Sequence, residues 1–208
     1  MSVKLYYFDA RGICDPIRMI LTYGGIEFDE IRAPVDTFPP NLPTEIKSKC
    51  RWGQVPMVEF DGKSLNQSLA ITRYFAKKAN LVPQDIYEAA LCDEYVDAVR
   101  DLMAPWYVAV MENDEQKKQE KIDEARKATK TRFLDVFESI VKLNDGKHLV
   151  GKSLTWADIY LAYIIQHFEI LLGVNIASEH PTLKTLSENV LNEPNIKKWI
   201  DRRPKTKY

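Results

Sequence analysis

The chain has few cysteines, few histidines, no long apolar run and almost no net charge, and each scarcity removes a class of protein. Cys14, Cys50 and Cys92 are odd in number, far apart and without a CxxC pair. Such a set supplies no disulfide framework. Three scattered histidines with no Cys/His cluster carry no zinc-site pattern, so no metal is expected. Lysine and arginine total 29 against 30 for aspartate and glutamate, a formal charge of -1. Bulk charge therefore offers nothing to nucleic acid or to an anionic membrane. No apolar stretch approaches the roughly 18 residues of a membrane span. The first residues lack the basic, apolar and small-residue succession of a secretory signal. A cytoplasmic protein is the expectation. What the chain does have is core-forming material: 45% of its 208 residues are hydrophobic, enough for one large domain or two small ones and too much for disorder.

The first eighty residues alternate between two periodicities. "VKLYYF" (3–8) reads as a strand and "DPIRMILTYGG" (15–25) as a helix, with Asp15 as its N-cap, Pro16 at the first helical position and Gly24-Gly25 as its stop. "FDEIRA" (28–33) reads as a second strand. Prolines and polar residues mark 34–50 as a surface loop with at most one short helix. "VPMVEFDGKSL" (55–65) is a hairpin turning at Asp61-Gly62, and "QSLAITRYFAKKA" (67–79) is a helix. "NLVPQD" (80–85) reads as a linker, after which every segment has helical period. Leu91, Tyr95, Val99, Leu102, Trp106 and Val110 form one apolar stripe on a helix that Pro105 should kink. Residues 113–143 read as one charge-rich helix turning Ile122, Phe133, Phe137 and Ile140 inward. "SLTWADIYLAYIIQHFEILLG" opens with the capping-box spacing Thr155-x-x-Asp158, with Leu154 and Ile159 at the positions of a hydrophobic staple. Apolar nearly all round, that helix is expected at the centre of a second domain. The division is 1–79, a linker at 80–85, and 86–208.

Three short stretches carry chemistry. In "KLYYF" neighbouring side chains must face opposite ways, so Tyr6 and Tyr7 cannot share a role. "GQVP" (53–56) reads two ways. A cis Val55-Pro56 bond would expose the Val55 backbone for an extended peptide to pair with, whereas a trans bond would be an ordinary strand start. In "NQSLAI" (66–71), Gln67 and Ser68 lie at a helix mouth, where unpaired N–H groups attract a carboxylate. A plain N-cap serine is the other reading.

In their order and spacing, "YYFDARG", "PIR", "GQVP", "DGKSLNQSLAITRY", "LVGKSLTWADIY" and "IKKWIDRRP" resemble a cytosolic glutathione S-transferase, most nearly one of the sigma class. The resemblance runs nearly end to end. It implies an α/β thioredoxin-like N-terminal domain ordered β-α-β-α-β-β-α, an all-helical C-terminal domain and a homodimer. It implies no cofactor beyond glutathione as cosubstrate. Tyr7 matches the tyrosine that hydrogen-bonds the glutathione sulfur, leaving Tyr6 to packing. The resemblance further gives glutathione contacts to Gly53, Gln54, Val55 and a cis Pro56, to Gln67 and Ser68 at the γ-glutamyl end, and to Lys47 and Phe38 at the glycine carboxylate. Asp101 matches an aspartate that reaches the partner subunit's glutathione; its other reading is a solvated helix face. Phe8, Ile13, Met103, Trp106, Tyr160 and Ile164 fall at electrophile-pocket positions, although the helical ones equally suit a core.

Two positions depart from the prostaglandin-forming sigma members: Ile13 replaces an arginine, and Arg100 replaces one of three cation-binding aspartates. Two other functions stand beside the transferase. One is thiol transfer by Cys14, which precedes a helix start but neighbours Asp15. The other is a non-catalytic, crystallin-like or ligand-binding role. Apolar electrophiles, including lipid-peroxidation aldehydes, are the substrate class the family suggests.

Overall fold

The computed structural model describes residues 2–35 and 40–206. They form two units, one of residues 2–81 with 194–206 and the other of 82–193. The division falls inside the sequence-expected linker, but the last helix of the chain belongs with the first unit rather than with the helical segments before it.

The first unit is built on strands β1 (Val3–Phe8), β2 (Phe28–Ala33), β3 (Met57–Phe60) and β4 (Lys63–Asn66), in the sheet order β2-β1-β3-β4. β1 pairs parallel with β2 and antiparallel with β3, and β3 with β4 antiparallel. Helices α1 (Asp15–Tyr23), a single turn α2 (Thr44–Lys47) and α3 (Ser68–Lys78) complete the expected β-α-β-α-β-β-α order. Alternation along β1 assigns the faces. Val3 and Leu5 lie opposite Phe60 and Val58, and Phe60 meets Tyr74 and Phe75 of α3. Tyr7 shares that face, beneath Arg18 of α1. Tyr6 lies opposite Met57 on the other face, packed with Cys50, Ile31, Ile46 and Val55.

Asp15 does not cap α1; Cys14 takes that position, and Asp15 is the first helical residue. Its buried carboxylate is used elsewhere. It accepts from Trp199 Nε1 at 3.1 Å and Arg203 Nη1 at 2.8 Å, which fastens α9 (Pro194–Arg202) onto α1. A capping side chain looks out along the helix axis, whereas this one is claimed from the side by a partner 184 residues away.

The second unit contains α4 (Ile86–Val110), α5 (Glu115–Thr129), α6 (Asp135–Leu143), α7 (Trp156–Leu172) and α8 (Pro181–Leu191). α4 packs on α5 and α7, and α8 packs on α6 and α7. α4 begins at Asp85, whose side chain accepts from the N–H groups of Tyr87 and Glu88, and it continues through Pro105. The single helix expected over 113–143 is two, joined by a wide π-type turn at Lys130–Leu134. Thr129, Phe133, Phe137 and Val141 are buried at intervals of four. An ideal helix of 3.6 residues per turn would rotate such a row out of the core, and a wide turn absorbs the drift. At the same place the Thr129 hydroxyl donates back to the Ala125 carbonyl at 2.7 Å, a bond that competes with regular helix geometry.

The Thr155–Asp158 capping box is formed. Asp158 Oδ2 accepts from the Thr155 N–H and hydroxyl, each at 2.8 Å, and Oδ1 accepts from the Leu149 N–H at 2.7 Å. One buried carboxylate thus starts α7 and pins the preceding loop. Twelve of the seventeen α7 residues are buried, which makes it the unit's central helix. Among the described residues no helix is long and apolar enough to cross a membrane.

Two stability predictions follow from these carboxylates. Asp158→Ala removes the box and orphans a buried N–H, so chemical unfolding should report a loss of about 2–4 kcal/mol. Glu138, on α6, accepts from the N–H groups of Thr182 and Leu183 at the start of α8. Burial opposes its charge, but those donors and Lys142 hold its carboxyl below the ordinary glutamate range. A carboxyl with a depressed folded value contributes stability in full above its unfolded value and loses it as pH falls through the folded one. Glu138→Gln should therefore lower stability near neutrality and flatten the acid limb of a stability-against-pH curve.

Candidate active site

The sheet ends in one row, and the candidate site starts there. Tyr6, Met57 and Asn66 are the last residues paired across β1, β3 and β4 at this end, while Tyr7 and Phe8 continue to pair with β2 on the other side of β1. One step further along each strand come Tyr7, Pro56 and Gln67. Proline has no N–H to extend the ladder, so pairing between β1 and β3 stops at that point. Three residues from separate motifs are thereby set side by side at the sheet's open end.

Tyr7 is 9% exposed, and its hydroxyl stands against the backbone of Gly12. A Cβ at position 12 would come within 2.5 Å of Tyr7 Oη, and Gly12 has φ +43°, a region that favours glycine. Phe8 packs edge-on against the Tyr7 ring, with centroids 5.7 Å apart. Tyr6 is engaged on the opposite face, where its hydroxyl donates to Glu59 Oε2 at 2.6 Å. Burial, then that bond, pushes its phenol up to about 12. The two tyrosines are divided as alternation requires.

The Val55-Pro56 peptide is cis, which resolves the two readings of "GQVP". Val55 is half-buried and lies before the first ladder pair; Gln54 is exposed. Gly53, at φ +63°, receives the Lys47 side chain, whose Cε lies 3.4 Å from where a Cβ would be. Lys47 ends α2 and is exposed. Gln67 holds φ 74° and ψ 116°, sparsely populated for a residue with a Cβ. It occupies the N-cap position of α3 with no side-chain capping bond, and Ser68, 5% exposed, is the first helical residue. Ser68 is therefore not a plain N-cap. Phe38 lies outside the described residues.

Cys14 is fully buried, and burial, only partly offset by Arg18, pushes its thiol up to about 12. Asp15 contributes in the same direction but less. Such a thiol is unsuited to be a nucleophile.

Ile13 is half-buried beside Gly12. Within the helical unit, Met103 and Trp106 lie on α4 and Tyr160 and Ile164 on α7, all buried. Burial pushes the Tyr160 phenol up to about 12. Asp101 is exposed on α4, 3.8 Å from Arg132 Nη2.

Sequence reasoning passed over the charges beneath Tyr7. Arg18, 1% exposed, donates to Glu30 Oε1 at 2.6 Å and to the Ala10 carbonyl at 2.8 Å. Its guanidinium carbon lies 5.7 Å from the Tyr7 ring centroid and 5.8 Å from that of Trp199. The available signal was a charge inside the apolar run "PIRMIL".

Two family models match the chain: "Glutathione S-transferase, N-terminal domain" over residues 3–77 and "Glutathione S-transferase, C-terminal domain" over 100–203. A glutathione S-transferase of Anopheles gambiae is 32% identical over 98% of this chain and 97% of its own. Glutathione S-transferase A4 of Mus musculus is 37% identical over 95% and 87%. The crystal structure of a monomeric glutathione S-transferase from the hookworm Necator americanus superposes with a TM-score of 0.85 at 34% identity, covering both chains fully. The chain belongs to the glutathione S-transferase family, and it is a transferase with that family's two-part fold.

One prediction concerns the cysteine. Alkylation of the native protein at mildly alkaline pH, mapped by peptide mass, should leave Cys14 unmodified until the chain is unfolded.

Proposed function

We propose that this transferase is a cytoplasmic enzyme of the sigma class in which Tyr7 donates a hydrogen bond to the sulfur of glutathione, raising the thiolate fraction for attack on apolar electrophiles. The observation that carries the reading is the row at the end of the sheet, where Tyr7, Pro56 and Gln67 follow the last ladder pairs. Tyr6 is committed to Glu59 on the other face.

In this reading an extended tripeptide pairs through its cysteinyl unit with the Val55 backbone, after Gly53 and Gln54 have led out of the Arg51-Trp52 turn. Gln67, Ser68 and the positive end of α3 take the γ-glutamyl carboxylate. Lys47, lying along Gly53, takes the glycine carboxylate together with Phe38. Glutathione is the cosubstrate, and no other cofactor takes part. A free thiol has a pKa of about 8.5, so little thiolate is present at neutrality. Lowering that value by about two units corresponds to about 2.7 kcal/mol, within the range of a hydrogen bond to a charged acceptor with local dipoles. The rest of the acceleration is positioning.

Phe8 and Ile13 contribute apolar surface for the electrophile. Isoleucine at 13 suits soft, apolar compounds such as lipid-peroxidation aldehydes. A homodimer is supported by two exposed groups: Trp52 at 62% beside Gly53, and the Asp101 side chain at 67%, which would reach the partner's glutathione.

The test is Tyr7→Phe, assayed by turnover of a chlorinated dinitrobenzene and by retention on immobilised glutathione. Losing a bond to a charged acceptor should lower kcat/KM roughly 10- to 100-fold with retention intact. Cys14→Ser should stay near parental activity; the reverse pattern would assign the chemistry to Cys14. Retention without any turnover by the parent protein would instead favour a ligand-binding role.

A further inference from the structure

We propose that Arg18 is a positioning residue for the reaction: buried with Asp15 at the inner end of an ion-pair network, it fixes the 10–12 loop and the Tyr7 ring so that the Tyr7 hydroxyl meets the glutathione sulfur. This inference rests on the Tyr7 reading above.

The guanidinium works on Tyr7 from two directions. It sits over the ring face at 5.7 Å, near enough for a cation–π contact in a desolvated place. Its Nη1 also donates to the carbonyls of Ala10 at 2.8 Å and Arg11 at 3.4 Å. Those two residues lead into Gly12, whose backbone lies against Tyr7 Oη so closely that a single added methyl would overlap it. A small shift of that loop therefore changes the space in which the hydroxyl turns. Catalytic hydrogen bonds lose much of their effect when donor and acceptor are displaced by about an ångström.

Every element around Arg18 contributes charge or a ring to hold it. From α1, Asp15 approaches Nη1 at 3.3 Å. From β2, Glu30 takes Nε at 2.6 Å and is bound on its other oxygen by Arg32, also at 2.6 Å. Arg32 in turn reaches Asp9, the residue before the clamped loop, at 2.8 Å. From α9, Trp199 lies over the guanidinium and donates to Asp15, and Arg203, just past the end of α9, pairs with Asp15 at 2.8 Å. Three arginines face three carboxylates, so the network balances its own charge and acts on Tyr7 through geometry. A buried ion network is weak evidence for stability but well suited to fixing one arrangement. It also gives α9 a purpose: the end of the chain closes the network under the catalytic tyrosine.

The test uses Arg18→Lys, which keeps the charge but loses the planar fork that reaches loop, ring and carboxylate together. Glu30→Gln is the second variant, removing the charge that pairs with Arg18 and Arg32 without emptying the space, and it decides the matter if Arg18→Lys does not fold. For whichever variant folds, the pH dependence of kcat/KM should shift its apparent thiol pKa upward by about half a unit to one unit, and kcat should fall about tenfold with glutathione KM nearly unchanged. Combined with Tyr7→Phe, the same change should add little further, because both act through one hydroxyl. A folded variant with a parental pH profile, or a full additive loss in the Tyr7→Phe background, overturns the positioning role and leaves the Tyr7 reading standing. If Tyr7→Phe alone moves neither kcat nor the pH profile, the reading beneath it fails and this proposal with it.

Discussion

The structure turns on where the sheet stops pairing. β1 is hydrogen-bonded on both sides up to Tyr6, and the next residue on its β3 side is a proline that cannot donate. Ending the ladder there does three things at once. It ends the β3 side of β1 just before Tyr7, while β2 still flanks that residue. It leaves the Val55 backbone outside the paired region, and it lets the chain after Asn66 enter α3 through the strained Gln67. Had β3 begun one residue earlier with an ordinary amino acid, the ladder could have run on over the place where a peptide would bind. Removing one donor from one strand sets where the β1–β3 ladder ends.

The strict alternation of a strand then divides two identical side chains. Tyr6 is drawn into an apolar cluster and needs a partner for its hydroxyl, which Glu59 provides. Tyr7 lies on the face served by α1 and is held by groups that are charged but internally neutralised. The chemistry proposed for it asks for a donor in a fixed direction. Direction comes from the surroundings of the ring: Phe8 on an edge, Arg18 on a face, and the Cα of Gly12 against the oxygen.

Much of this was legible in the sequence because it rests on local rules. Strand alternation at "KLYYF", the Asp61-Gly62 turn and the Thr155-x-x-Asp158 box each depend on residues within a few positions of one another, and each is formed as read. What the sequence withheld depends on partners far along the chain. Asp15 has every attribute of an N-cap until Trp199 and Arg203 arrive from the other end and claim its carboxylate. The same long-range contacts place α9 with the sheet, although its periodicity is that of the helices before it. The wide turn at Lys130–Leu134 was missed for a different reason. A spacing of four looks helical by eye, and only its accumulation from Thr129 to Val141 departs from 3.6. The 34–50 loop is proline-rich and without period, so neither its path nor Phe38 is fixed by any local rule.

Burial also sets the chemistry open to the cysteine near the tyrosine. A thiol at a helix start is activated when the helix's positive end and solvent both reach it. Cys14 has the first neighbour but not the second: it is sealed under α1, and the cost of desolvating a thiolate there exceeds the help from Arg18. Arg18 is already divided among Asp15, Glu30 and two carbonyls, so little of its field remains for a new anion. A buried charge already matched by carboxylates is well placed to hold other groups still and poorly placed to stabilise a second negative charge. In the reading proposed for this site, the sulfur to be ionised arrives from outside, at the end of the β1–β3 ladder, where the oxygen of Tyr7 rather than the charge of Arg18 would meet it.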